Sequence, residues 1–317
     1  MKLGFLAILS TLVFTTTASA ATIPVAKLVS SSAFAGPNID GACGVSGSSR
    51  DPSRAAVAGG IDLPGGTGNN CTSAARARVG AGYVSAYSEV AMDSVYGSAR
   101  HGMTASATAT WTLDFGIANN YVFNGPERIG VNFDAAAAVA ASFDDAFGNL
   151  FTTGAGALVS GSVTLTGSNN NIDVRRSTRD FRFDTSVSRD DAGPDDDSDS
   201  LSGNQPLSVA VMADPRRPIT IMMTIGASSN VVGPRSAEVR SVANGSQTLN
   251  FAQDRGVFEV SDGVIADFAE LSIFNNRWVE PRIPQEPPVT PIPLPAGMPL
   301  MFAALGLLAV SRRHVGA

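Results

Sequence analysis

The sequence predicts an all-β protein: an antiparallel β-sandwich of jelly-roll-like type, set between an N-terminal signal segment and a short apolar C-terminal segment. Two observations carry the fold class. Ala105–Phe115 alternates strictly, with Ala105, Ala107, Ala109, Trp111, Leu113 and Phe115 on one face and Ser106, Thr108, Thr110, Thr112 and Asp114 on the other. Period two with threonine at the polar positions is the pattern of a half-buried antiparallel strand. Turn words rich in Gly, Asn and Pro then separate several further stretches of the same period, as short strands of a sandwich require. The 317 residues allow one large or two ordinary domains.

The chain opens with Lys2, an apolar run Leu3–Phe14 and the small-residue word Ala18-Ser19-Ala20. This is the plan of a Sec-type signal peptide over residues 1–20, with cleavage between Ala20 and Ala21; an uncleaved anchor is the alternative. Residues 21–79 form a Gly/Ser-rich N-terminal region with many turn formers, among them Gly36-Pro37-Asn38 and Pro64-Gly65-Gly66. Such a segment buries little, and Cys43 and Cys71 are expected to staple it by a disulfide in an exported chain. Closing a loop of about 29 residues would stabilise by about 3–4 kcal/mol in the chain-entropy account. No Cys-x-x-Cys spacing points to redox chemistry.

The sandwich body is expected over residues 80–279. Beyond Ala105–Phe115, strands are predicted at Ala157–Thr166, Leu207–Ala213, Ile219–Ile225, Gln247–Phe251, Val257–Val260 and Asp267–Phe274. Ile129–Phe143 pulls two ways. Its alanines favour helix by intrinsic propensity. Its large apolar residues Ile129, Val131, Phe133, Val139 and Phe143 alternate, and strand is the reading adopted.

Six aspartates crowd the stretch Asp190–Asp199: Asp190, Asp191, Asp195, Asp196, Asp197 and Asp199. Clustered oxygen donors suit Ca²⁺, and Asp195, Asp197 and Asp199 are the candidate ligands. The stretch lacks the glycine and the closing glutamate of an EF-hand loop, so a solvated acidic loop with no metal is the expectation. Arg175, Arg176, Arg179, Arg182 and Arg189 precede it and are placed to neutralise it across a hairpin.

Catalytic chemistry finds little support. His101 and His314 are the two histidines, which is too few for a histidine-rich zinc centre. There is no G-x-S-x-G word, and acidic pairs such as Asp144 with Asp145, or Glu259 with Asp262, are common in any acidic chain. The expectation is no enzyme and no cofactor. Tyr83, Tyr87 and Tyr96 are candidates for stacking on sugars, whereas Trp111 lies on the apolar face of its strand and reads as core.

After Phe274 the pattern ends. Glu280–Pro295 contains seven prolines in sixteen residues and reads as an extended linker, residues 280–295. The tail, residues 292–317, has three parts: Ile292-Pro293-Leu294-Pro295-Ala296-Gly297, the uncharged run Met298–Val310, then Arg312-Arg313. The run lacks a polar face, so it reads as a short transmembrane helix, 298–310, and not as a packed amphipathic one.

This tripartite tail resembles the VPLPA-type variant of the PEP-CTERM sorting signals, with Ile292 in place of the usual valine. The resemblance covers the tail alone. It implies recognition by an exosortase-type sorting enzyme in a Gram-negative bacterium, a transient stop in the inner membrane, and a final place on the cell surface or outside the cell. It further implies a biofilm or exopolysaccharide setting, with exopolysaccharide as a partner of a structural or adhesive protein. A carbohydrate-binding module is the alternative and a secreted hydrolase the third. Charge excludes a general nucleic-acid binder: of 22 Lys and Arg, Lys2, Arg312 and Arg313 lie in the terminal segments, while all 28 Asp and Glu fall between those segments.

Overall fold

The computed structural model describes residues 21–39, 49–51, 59–63, 71–93, 99–145, 153–169, 173–189, 195–233 and 238–280. The signal segment through Ala20, Cys43, Tyr96, the linker beyond Glu280, the sorting word Ile292–Gly297 and Arg312-Arg313 therefore lie outside the described residues. The strands all belong to one unit, which ends at Val279.

The chain forms β1 (Val25–Ile39), β2 (Ser49–Asp51), β3 (Gly59–Leu63), β4 (Cys71–Gly80), β5 (Tyr83–Asp93) and β6 (Ala99–Asp114). There follow β7 (Gly116–Ile117), β8 (Glu127–Asp145), β9 (Thr153–Ser168), β10 (Val174–Arg189), β11 (Asp195–Ala213) and β12 (Ile219–Gly233). The last are β13 (Glu238–Phe251), β14 (Phe258–Glu259), β15 (Val264–Ile265), β16 (Ile273–Phe274) and β17 (Arg277–Trp278), with a single 3₁₀ turn at Ala269–Leu271.

Two antiparallel sheets result. A six-stranded sheet runs β10-β9-β12-β6-β1-β2, and a seven-stranded one runs β11-β8-β13-β5-β4-β3 with β14 added to β8. Each sheet receives one late strand in its middle: β12 enters between β9 and β6, and β13 between β8 and β5. The inner faces meet in one core, with alternate residues buried along β6, β8, β9 and β12, and in β10 and β11 only from Phe181 and Leu207 onward. Among the described residues no helix is long and apolar enough to cross a membrane.

Strand β8 settles the ambiguous alanine segment. Ile129, Val131, Phe133, Ala135, Ala137, Val139, Ala141 and Phe143 are all buried on its inner face. Pairing with β11 and β13 on both edges overrides the helical preference of alanine. Strands also begin well before Gly80: β1 pairs with β6, and β4 with β5, so residues 25–80 supply strands to both sheets.

The core changes character along the strands. At one end Phe133 stacks on Phe251 with ring centres 5.0 Å apart, and Phe115, Phe258 and Phe268 meet edge-on or tilted at 5.4 Å. Ile219, Ile221, Met223 and Ile225 fill the space between. At the other end the facing residues are small: Ala75, Ala77, Ala86, Ala105, Ala107, Ala227 and Ala243, with Ser88, Ser229 and Ser241 fully buried among them. Small side chains let the sheets approach closely enough for the Ser241 hydroxyl, on one sheet, to reach the Gly156 carbonyl on the other at 2.6 Å.

The aromatic end is capped by residues 252–279, where two sequence expectations are corrected. The strand expected at Val257–Val260 is only the two-residue β14. β14 takes over the edge of β8 that β13 leaves, and Asn132 bridges the changeover by accepting from the Ala252 amide and donating to the Val257 carbonyl. The strand expected at Asp267–Phe274 is the 3₁₀ turn followed by the β16–β17 hairpin. Asn275 and Asn276 form that hairpin's two-residue loop at φ of 50° and 56°, the left-handed geometry that asparagine tolerates. The apolar residues Phe268, Leu271, Ile273 and Trp278 are buried and close this end of the core, and only Ile273 and Trp278 among them sit in strands, paired with each other.

Candidate functional site

The outer face of the six-stranded sheet is built from the polar half of the alternation that buries the core. On β6 these residues are Thr104, Ser106, Thr108, Thr110 and Thr112; on β12, Thr220, Met222, Thr224, Gly226 and Ser228; on β9, Leu158, Ser160, Ser162, Thr164 and Thr166. Register aligns them into rows across the strands. Lys27, Thr112, Thr220, Thr166 and Arg176 make one row, and Ser30, Thr110, Met222, Thr164 and Thr178 the next. Ser32, Thr108, Thr224, Ser162 and Asp180 follow, then Phe34, Ser106, Gly226, Ser160 and Arg182. Rows of this kind repeat about every 6.7 Å along a strand and about 4.8 Å from strand to strand.

Two features define this face chemically. Its centre, over β6, β12 and β9, carries hydroxyls and no formal charge, while Lys27, Arg176, Asp180 and Arg182 stand at its two margins. Some hydroxyls bond within the sheet: Thr108 to Thr224 at 3.3 Å, Thr164 to Thr178 at 3.0 Å, and Thr104 to the Ala227 carbonyl at 3.3 Å. Each hydroxyl both donates and accepts, so such bonds leave further capacity directed outward. At the β9–β10 margin the face runs into an open cleft lined by Ser160, Gly161, Ser162, Asp180, Phe181, Arg182 and Gln205. Gly161 lies close under the Phe181 ring: a Cβ there would stand 2.7 Å from that ring and 2.2 Å from the Thr224 carbonyl.

The outer face of the other sheet is differently furnished. Glu89 accepts from Arg240 at 2.7 Å and from the Tyr87 hydroxyl, and Arg76 lies over the Tyr87 ring at 5.8 Å. Burial and the Glu89 carboxylate push the Tyr87 hydroxyl up to about 12. Further along, Arg128 and Asn132 bind Glu259, and the Arg128 hydrogen bond holds that carboxyl below its ordinary range. These charges are consumed in holding strands and the capping segment together.

The expected site residues are dispersed. Tyr87 is occupied as described, and Tyr83 folds its ring over Gly80, its cross-strand partner. Trp111 is core, at 3% exposure. His101 stands half-buried on β6 opposite Val231. The backbone of Cys71 opens β4, and Cys43 lies outside the described residues.

Asp190 and Asp191 lie outside the described residues, and from Asp195 onward the acidic stretch is strand and not the loop expected. Asp195–Asp199 begin β11, in extended pairing with β8, where Asp195 and Asp196 stand opposite Asp145 and Asp144. Alternation puts Asp197 and Asp199 on one side of the strand, and Asp199 accepts a hydrogen bond from Thr185. Among the described residues no three Asp, Glu, His or Cys side chains gather where a metal ion could sit. Of the arginines expected to neutralise it, Arg175 pairs instead with Asp173 and Arg182 with Asp184, each at 3.0 Å, while the side chain of Arg189 lies outside the described residues. The hairpin is long, so Arg175 and Arg189 fall at opposite ends of the β9–β10 ladder, opposite Gly167 and Thr153.

Sequence reasoning found the threonines of β6 but not the face they belong to. The words Thr164-Leu165-Thr166 and Thr108-Ala109-Thr110-Trp111-Thr112 were the available signal. No family model, curated protein or solved structure matches the chain.

Proposed function

We propose that the chain is an exported protein of the bacterial surface or extracellular matrix, trimmed near its C-terminus by an exosortase-type enzyme, with a structural or adhesive body. The observation that carries this reading is the order of the tail: Ile292–Gly297, the apolar Met298–Val310, then Arg312-Arg313. A membrane-embedded enzyme finds its substrate by depth as well as by sequence. The apolar run halts in the bilayer and the arginines hold to its cytoplasmic side. Pro293 and Pro295 cannot continue a helix, so the word between them is presented extended at the outer interface. The body supports the reading too: its last strand ends at Trp278, just before the proline-rich linker begins.

Intact-mass analysis of the surface-localised protein tests this. The mature chain should end near Ala296, and replacing Pro293 and Pro295 by Ala should leave the untrimmed form in the inner membrane. A mature protein extending through Ala317 would overturn the proposal.

A further inference from the structure

We infer that the outer face of the six-stranded sheet, over β6, β12 and β9, docks a neutral polysaccharide chain. The inference deepens the matrix reading above and rests on it for the polymers the protein meets. Charge selects the occupant. Over three adjacent strands the outward positions of Thr104–Thr112, Thr220–Ser228 and Leu158–Thr166 carry no formal charge and are hydroxyls except at Met222, Gly226 and Leu158, with Thr164 alone among the hydroxyls buried. A polyanion would need cations across that centre, and none stands there. A lipid surface or a protein partner would need a contiguous apolar patch. The apolar residues nearest its centre, Leu158, Met222 and Phe34, are instead separated by hydroxyls and partly buried, and the exposed Val25 and Val174 stand apart at opposite margins.

A neutral sugar chain matches both elements. Its hydroxyls exchange hydrogen bonds with threonine and serine, which donate and accept alike, and its C–H faces rest on isolated apolar side chains such as Met222 and Leu158. The rows repeat at strand spacing, so a chain lying along β6 meets a serine or threonine at each rung from Thr104 to Thr112. The open cleft at the β9–β10 margin continues the same surface and adds side chains of both signs, Asp180 and Arg182, beside Ser160 and Ser162. Individual contacts of this kind are weak, and retention comes from many rungs engaged at once.

The test is retention of the full chain, in mild detergent, on cellulose and on dextran resin as neutral polymers and on alginate gel as an acidic one. At least one neutral polymer should retain it, with release by soluble hydroxyethylcellulose. Thr110→Glu combined with Thr224→Glu should weaken retention about tenfold, the loss of one or two hydrogen bonds. Ala138→Glu, exposed on the other sheet's outer face, should leave it unchanged. If the double variant has lost the parent's melting transition, Ser106→Glu with Thr112→Glu is read in its place. No retention on either neutral polymer, retention on alginate alone, or unchanged retention by the folded variants would each overturn the inference. The intact mass separates the two readings: a trimmed tail without polysaccharide binding removes the docking face and leaves sorting standing, and binding with an untrimmed tail does the reverse.

Discussion

Ser229 of β12 donates its hydroxyl to the backbone carbonyl of Ser88 on β5, 2.8 Å away, and so ties one sheet to the other through the alanine-rich half of the core. The two hydroxyls lie 2.9 Å apart, and the Ser229 oxygen also accepts from the Ala243 amide at 3.1 Å. Both serines are fully buried. Alanine cores bury little apolar area per residue, so this half depends on inter-sheet hydrogen bonds that the phenylalanine-rich half does not need. Ser229→Ala should cost about 1–3 kcal/mol, because the Ala243 amide and the Ser88 hydroxyl lose a partner where water cannot replace it. Ser229→Val should cost more by also forcing the sheets apart. Urea denaturation of the variants measures both, and an unchanged midpoint for Ser229→Ala would remove the staple from the account.

A second side chain acts as a piece of backbone. The Asn276 amide accepts from the Phe258 N–H at 2.7 Å and donates to the Phe258 carbonyl at 2.8 Å, the two bonds a neighbouring strand would make. Its own N–H is held by Asp267 at 2.9 Å, and its φ is 56°. Asn276→Gly keeps the left-handed geometry but loses both side-chain bonds. Asn276→Ala loses the bonds and adds about 1 kcal/mol or more of backbone cost. Thermal melting should therefore rank Asn276 above Gly and Gly above Ala; a reversed order of Gly and Ala would show that the backbone geometry is not limiting.

The sequence disclosed β6 and β8 because apolar residues recur at every second position there, alanines included. It hid β10, where Phe181, Phe183, Thr185 and Val187 alternate just as regularly but arginines and aspartates fill the other face. It hid the first half of β11 for a different reason: Asp, Ser and Gly have poor intrinsic strand preference, and only pairing with β8 makes them a strand. The hydroxyl face was half visible, as Thr-x-Thr words in separate segments. Its rows depend on β12 entering between β6 and β9, a long-range event that no local pattern encodes.

Asp214 links stability to pH. Its carboxylate is buried and receives two hydrogen bonds from the Arg216 guanidinium at 2.9 Å, while that guanidinium lies 3.7 Å from the Phe123 ring centre. The Arg216 hydrogen bond holds the Asp214 carboxyl below its ordinary range. A carboxyl whose folded value is depressed binds its proton first in the unfolded chain, so its contribution is full above about pH 3.9 and is lost as pH falls through the folded value. Asp214→Asn should lower stability at neutral pH and reduce the further loss between about pH 4 and pH 2. Parallel melts of parent and variant across that window decide it; parallel curves with a constant offset would exclude the linkage.

The far end of the seven-stranded sheet carries a cost of the opposite sign. Asp196, Asp144, Glu238 and Asp93 occupy one register row across β11, β8, β13 and β5, each acidic position opposite the next. Like charges directly opposite in a ladder are destabilising by a few tenths of a kcal/mol to about 1 kcal/mol each. Asp144 has an acidic neighbour on both sides and is itself exposed, so salt screens it effectively. Asp144→Asn should therefore raise the melting temperature in low salt, and the gain should shrink as sodium chloride is added. The salt series separates charge from packing: a gain that persists undiminished at high salt would mean that the asparagine stabilises by its own hydrogen bonds, and a loss at all salt concentrations would mean that the carboxylate is itself part of what holds this end of the sheet together.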